Sequence, residues 1–185
     1  MNCENNVFIK FDSTEKKDYF LNALNDSFLF FESFIPFSET DYFSCYGSNT
    51  KVYTDDVIFD ITYDHLTINC IFKTDAPCIA FFIKLAARWS SNIQLIYYND
   101  IEDYSGQFRI YRNQIVKNDC FSYWQGMYTY NFDLFWELLE SFFEGRYMNF
   151  EELLRTKRVQ FSEKHFMEIK SEYDNHSLVH QFERM

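Results

Sequence analysis

Residues 57–72 constrain the fold more tightly than any other stretch. Two runs alternate, with Val57, Phe59, Ile61 and Tyr63 facing one way in the first and Leu66, Ile68, Cys70 and Phe72 in the second. A period of two in two runs joined by Asp64-His65 describes a β-hairpin. With those two residues as the loop, the opposed pairs are Tyr63/Leu66, Ile61/Ile68, Phe59/Cys70 and Val57/Phe72, all apolar. The other face pairs Thr62/Thr67, Asp60/Asn69, Ile58/Ile71 and Asp56/Lys73, which are mostly polar. A slip of one residue would turn the apolar set to solvent, so the pattern fixes the register. One face of this sheet must be covered, and the rest of the chain has to supply the cover.

The flanks read accordingly. Residues 6–11 form a first strand, and Asp12-Ser13-Thr14 offers capping oxygens for a helix to Asn25 with Phe20, Ala23 and Leu24 inward. Residues 27–50 look irregular, yet Phe28 to Phe31 and Phe34 to Phe37 are too apolar to lie in solvent. Asp75-Ala76-Pro77 reads as a helix start, and the helix to Trp89 is apolar except for Lys84 and Arg88. Residues 93–98 are a strand, and residues 106–112 and 114–117 a second hairpin around Asn113. The order is βαββαβ: an α+β fold with a ferredoxin-like antiparallel sheet and helices on one face. Residues 120–130 read as an aromatic connector, Asn131 caps a helix to Gly145, and shorter helices follow at 150–155 and 163–173. This divides the chain into a sheet unit, residues 1–118, and a helical extension, residues 119–185, packed on it in one compact domain.

Composition decides what class of protein this is. Apolar residues make up 47% of the 185, too many for a disordered acidic tail. Lys and Arg total 17 against 28 Asp and Glu, a net charge of −11, which disfavours direct grasping of nucleic-acid phosphates. The 23 Phe and 14 Tyr largely replace Leu and Val in the core. Five scattered cysteines without a CxxC pair fit reduced thiols rather than a disulfide framework or zinc ribbon. The first residues lack the basic start and apolar run of a signal peptide, and no apolar run approaches ~20 residues. The expectation is a soluble, cytoplasmic protein.

Several short motifs occur in a recognisable order: Asn5-Asn6-Val7-Phe8-Ile9, Phe31-Glu32-Ser33-Phe34-Ile35-Pro36, and Tyr46-Gly47 followed by Thr50-Lys51. Then come Phe72-Lys73-Thr74 before Ala76-Pro77, and Tyr97 through Glu102, Tyr104, Ser105 and Gly106. In these the first two-thirds of the chain resembles the Api92-like family, a ferredoxin-like group of phages, plasmids and genomic islands. The family's Trp-Gly-Thr-Lys-Trp-Asp stretch is broken here, with no tryptophan between residues 46 and 55. The resemblance implies a fold and a mobile-element setting, and no reaction.

Candidate chemistry is sparse. Glu172, His176 and His180 are spaced for one helical face, but two histidines without further ligands are a weak metal signature. Cys70 and Cys78 read as small core hydrophobes rather than nucleophiles. No GxSxG, P-loop, HExxH or dinucleotide glycine pattern is present. No catalytic residue, metal or cofactor is expected.

The placement of charge is more informative. Residues 1–64 hold 12 acids against 4 bases, residues 65–117 hold 4 against 6, and residues 118–185 hold 12 against 7. Asp133, Glu137, Glu140 and Glu144 follow one another at i, i+4, i+7 and i+11, a single acidic stripe. Acids so placed serve solubility in most proteins. Here the stripe, with Asp55, Asp56, Asp60 and Asp64, also suits a basic partner. The expectation is a non-enzymatic inhibitor that mimics nucleic acid. Its partner would be a basic host defence protein of the CRISPR or restriction type, with no direct contact to nucleic acid or membrane. The alternatives are an immunity protein for a cognate toxin, or a small-ligand module with an aromatic pocket between the sheet and residues 27–50.

Overall fold

The structure is a computed structural model that describes residues 3–25, 27–37, 41–62, 64–145, 150–162 and 165–171. It is a mixed α+β protein built on an open, antiparallel six-stranded sheet. The strands are β1 (Cys3–Lys10), β2 (Ile58–Ile61), β3 (Thr67–Thr74), β4 (Asn92–Asn99), β5 (Tyr104–Tyr111) and β6 (Gln114–Phe121). Their order across the sheet is β2-β3-β1-β4-β5-β6. The helices of the first part are α1 (Thr14–Asn25), α2 (Phe30–Phe34), α3 (Tyr42–Tyr46) and α4 (Ile79–Trp89). Those of the second are α5 (Tyr123–Tyr130), α6 (Phe132–Gly145) and α7 (Phe150–Lys157).

The hairpin register follows the alternation. Ile58 pairs Ile71, Phe59 pairs Cys70, Asp60 pairs Asn69 and Ile61 pairs Ile68. The strand is shorter than the pattern suggested, ending at Ile61, and Tyr63 lies outside the described residues. Strand β1 runs antiparallel to both β3 and β4, so Val7 sits between Cys70 and Leu95, and Ile9 between Ile68 and Ile93. These six side chains are buried and form the apolar face.

Aromatic rings cover that face. Phe20 of α1 stacks on Phe34 of α2 at 4.1 Å, while Phe31 meets Phe81 of α4 at 4.6 Å and Phe30 meets Phe72 of β3 at 5.3 Å. Each of these six rings is at most 2% exposed. Full burial contributes about 1.5–3 kcal/mol per large apolar side chain, so the cluster outweighs any single cap or ion pair. The described residues of the 27–50 stretch are therefore not irregular. They hold α2 and α3, whose five-residue lengths carry no periodicity and are set by this packing.

Two helix starts fall where the residues placed them. Ser13 Oγ accepts from Lys16 N at 3.3 Å, and Asn131 Oδ1 accepts from Leu134 N at 3.3 Å. A third does not: α4 begins at Ile79 after Cys78, which makes no side-chain cap. Asp75 turns instead to the loop after α3, accepting from Ser48 Oγ, from Asn49 N at 3.0 Å and from Thr50 Oγ1 at 3.1 Å. Its own N–H donates to Thr50 Oγ1 at 2.9 Å. Gly47 makes this junction possible, with φ of +82° and the backbone of Pro77 only 3.2 Å from where a Cβ would stand.

The chain divides into two compact units, Met1–Glu102 with Gly106–Cys120, and Asp103–Ser105 with Phe121–Met185. In the second, residues 123–130 are helical rather than a connector. Ser122 caps α5 through Gln125 N at 3.3 Å, and its hydroxyl donates to Lys157 O at 3.0 Å. Trp124, Met127, Phe135, Leu139, Phe150 and Leu153 are buried there. Among the described residues no helix is long and apolar enough to cross a membrane.

Candidate functional site

Residues 27–30 and 52–54 run antiparallel to each other, joined by Phe30 N to Val52 O at 2.8 Å and Thr54 N to Phe28 O at 3.0 Å. Phe30 and Val52 are buried, whereas Tyr53, which alternation turns away from Val52, and Phe28, at the outer end of the segment, are 53% and 85% exposed. A 3-10 turn, Thr54–Asp56, follows directly and carries two exposed carboxylates. Together Leu24, Ser27, Phe28, Tyr53, Asp55 and Asp56 line an open groove of about 520 Å³. Neither Asp55 nor Asp56 forms an ion pair or side-chain hydrogen bond with any described residue. Two ring faces beside two unneutralised carboxylates can take up a cationic side chain, by charge attraction and by cation–π contact.

The remaining predicted acids fall into different roles. Asp60 is exposed on β2, an edge strand, and is likewise without a partner among the described residues. Asp64 is exposed too, but it is structural. It accepts from Thr62 Oγ1 at 2.7 Å, Leu66 N at 3.1 Å, Thr67 N at 2.9 Å and Lys10 Nζ at 3.1 Å. These bonds, Thr62's first, hold its carboxyl well below the usual range and close the β2–β3 turn. Asp133 and Glu137 are exposed one turn apart on α6, unpaired among the described residues. Asp133 sits in the first turn, where the helix dipole favours it. Glu140 and Glu144 belong to the same helix, and their side chains lie outside the described set.

Phe28 and Tyr53 were not among the residues the sequence singled out. They reach one groove because Leu29 bridges Tyr53, 24 positions away, and no local pattern announces that pairing. The aromatic pocket expected between the sheet and residues 27–50 is occupied by the rings of Phe30, Phe31, Phe34 and Phe81. Cys70 and Cys78 are buried, and burial pushes both thiols up, away from nucleophilic reactivity. Among the described residues no cluster of three His, Cys, Asp or Glu could hold a metal, and Glu172, His176 and His180 lie outside them. Comparison with family models, with curated proteins and with solved structures yields no match to this chain.

Proposed function

We propose that this protein is a non-enzymatic binding protein of a phage or mobile element. It occupies the basic surface of a host nucleic-acid-handling defence protein, of the anti-CRISPR or anti-restriction type, in the host cytoplasm. The observation that carries this reading is the groove of Phe28, Tyr53, Asp55 and Asp56, where contact area and unneutralised negative charge coincide. Asp60 on the edge strand and Asp133 and Glu137 on α6 supply further exposed acids. Charges of this kind raise association rates with a positive surface, and exposed aromatics supply what interface centres favour.

The strand order β2-β3-β1-β4, with helices α1 and α4 in its crossovers, supports a ferredoxin-like unit extended by the β5–β6 hairpin. It also supports the resemblance to the Api92-like family. The motif residues Gly47, Thr50, Thr74 and Pro77 gather around Asp75, which gives them a shared structural role in this chain.

The test is capture on the immobilised protein from host lysate, beside the Asp55→Lys/Asp56→Lys variant. The expected result is a nucleic-acid-binding protein that elutes as salt rises and that the variant does not retain. Retention of the same partner by the variant, unchanged in high salt, would sink the mimic reading.

A further inference from the structure

On the side of the sheet opposite the aromatic core, cations gather at one end, while Glu4 and Asp60 lie elsewhere on the same face. Alternation puts Phe8 and Lys10 of β1, and Arg109 and Tyr111 of β5, on this side. The register sets Phe8 between Asn69 and Gln94, and Lys10 between Thr67 and Asn92. At this end of the sheet Phe8, Lys10, Asn92, Gln94, Arg109 and Tyr111 line a groove of about 290 Å³.

A third cation joins them. Arg112 and Asn113 have φ of +50° and +61°, the two left-handed residues of a tight hairpin turn. Arg112 N donates to Asn92 Oδ1 at 2.9 Å, and its guanidinium lies 5.2 Å from the Tyr111 ring centroid. Against these three cations the groove's edge holds one acid in contact, Asp64 on Lys10. Asp60 also lies on this side, opposite Asn69 and two strands away from β1.

Several cations elsewhere are ion-paired, Lys16 with Asp12, Lys17 with Asp18, Lys73 with Glu4, Lys117 with Asp119 and Arg158 with Asp103, whereas Lys51, Arg88 and Arg155 form no ion pair with a described residue. Arg109 has no such partner among the described residues. What sets Arg109 apart is that it shares one groove lining with the rings of Phe8 and Tyr111, in a chain of net charge −11. The net charge repels a polyanion at long range, but salt screens that field over about 8 Å, and contacts inside the groove then decide.

We propose that this end of the open sheet face binds one nucleotide unit of a single-stranded nucleic acid. The base stacks against Phe8 and Tyr111, Gln94 and Asn92 offer amides to its edge, and Lys10, Arg109 and Arg112 face the phosphate. An acidic peptide would satisfy the three cations and leave the ring faces without a partner. A nucleotide uses both. None of the groove acids takes part, so this site and the proposed partner surface stand or fall separately.

The test is fluorescence anisotropy on the full chain with a labelled single strand of about ten nucleotides, at about 50 mM salt and upward. Saturable binding that weakens with salt is expected. Tyr111→Ala should weaken it about tenfold, the size of one lost base stack. Arg109→Glu should weaken it by at least as much, while Tyr111→Phe and Arg109→Lys keep most of it. Circular dichroism of each variant separates lost binding from lost fold. No binding at the lowest salt, or equal binding by folded Arg109→Glu and Tyr111→Ala, overturns the proposal. So does equal affinity for a duplex, whose bases cannot stack on the sheet, or for a free mononucleotide, which would remove the strand from the assignment.

Discussion

Asp75 and the pair Asp55-Asp56 are the same kind of residue in the same unit, and they do opposite work. Asp75 accepts from Ser48, Asn49 and Thr50 and locks the loop after α3 to the start of α4. Asp55 and Asp56 bond to no described side chain and stand beside two exposed rings. A carboxylate that satisfies backbone donors is part of the fold. One that faces water beside an exposed Phe is available to a partner, and an exposed Phe costs solubility without helping the fold. Counting acids cannot separate the two roles; their hydrogen bonds do.

The largest effect on stability should come from breaking the Asp75 junction. Asp75→Ala removes the acceptor of Ser48, whose side chain is fully buried, and of Asn49 N. Solvent screens this group, so the expected loss is about 1–2 kcal/mol, read as a lower urea midpoint with unchanged slope. An unchanged midpoint would remove the distinction drawn between the two kinds of acid.

The same junction sets the response to acid. Burial pushes the Asp75 carboxyl up, but the bonds from Ser48, Thr50 and Asn49 outweigh it and hold the group below its usual 3.8. A depressed carboxyl adds stability that is complete above the unfolded value and is lost as pH falls towards the folded one. Asp64 acts in the same direction through the β2–β3 turn. Thermal melts should therefore fall away below about pH 4, and Asp75→Asn should flatten that limb. Asp64→Asn should flatten it less, since its site is open to solvent. A variant with the full acid limb of the parent would show that other groups set it.

Much of this architecture is legible in the residues. The hairpin register could be read because β2 and β3 alternate over a short turn, so local pattern and tertiary contact agree. Ser13 and Asn131 cap the helices they precede for the same reason. Asp75 misleads because an acid followed by Ala-Pro satisfies every local rule for a helix start. Its partners lie 25 to 27 positions away in a loop that makes no local claim on it. Helices α2 and α3 escape because five residues cannot show a period; buried rings hold them. Helix α5 escapes because Gly126 lowers its propensity, although the Ser122 cap was there to be seen. The acids of the candidate site were visible as residues, but their roles were not, since a role depends on which donors fold against each carboxylate.

The smallest effect on stability is the most instructive one. Asp55→Asn with Asp56→Asn keeps the shape of the 3-10 turn, whose bonds run between backbone atoms: Asp56 N to Tyr53 O at 3.0 Å and Val57 N to Thr54 O at 3.2 Å. Neither side chain has a described partner to lose, so the change in unfolding free energy should stay within about 0.5 kcal/mol. Removing two neighbouring like charges pushes towards a slight gain. Partner capture should nevertheless weaken, because the charge is removed from the groove while Phe28 and Tyr53 remain. Loss of more than about 1 kcal/mol would show that these carboxylates support the fold after all, and would place them with Asp75. Unchanged stability with unchanged capture would leave the rings of Phe28 and Tyr53 to account for binding, a contact that Phe28→Ser should then abolish.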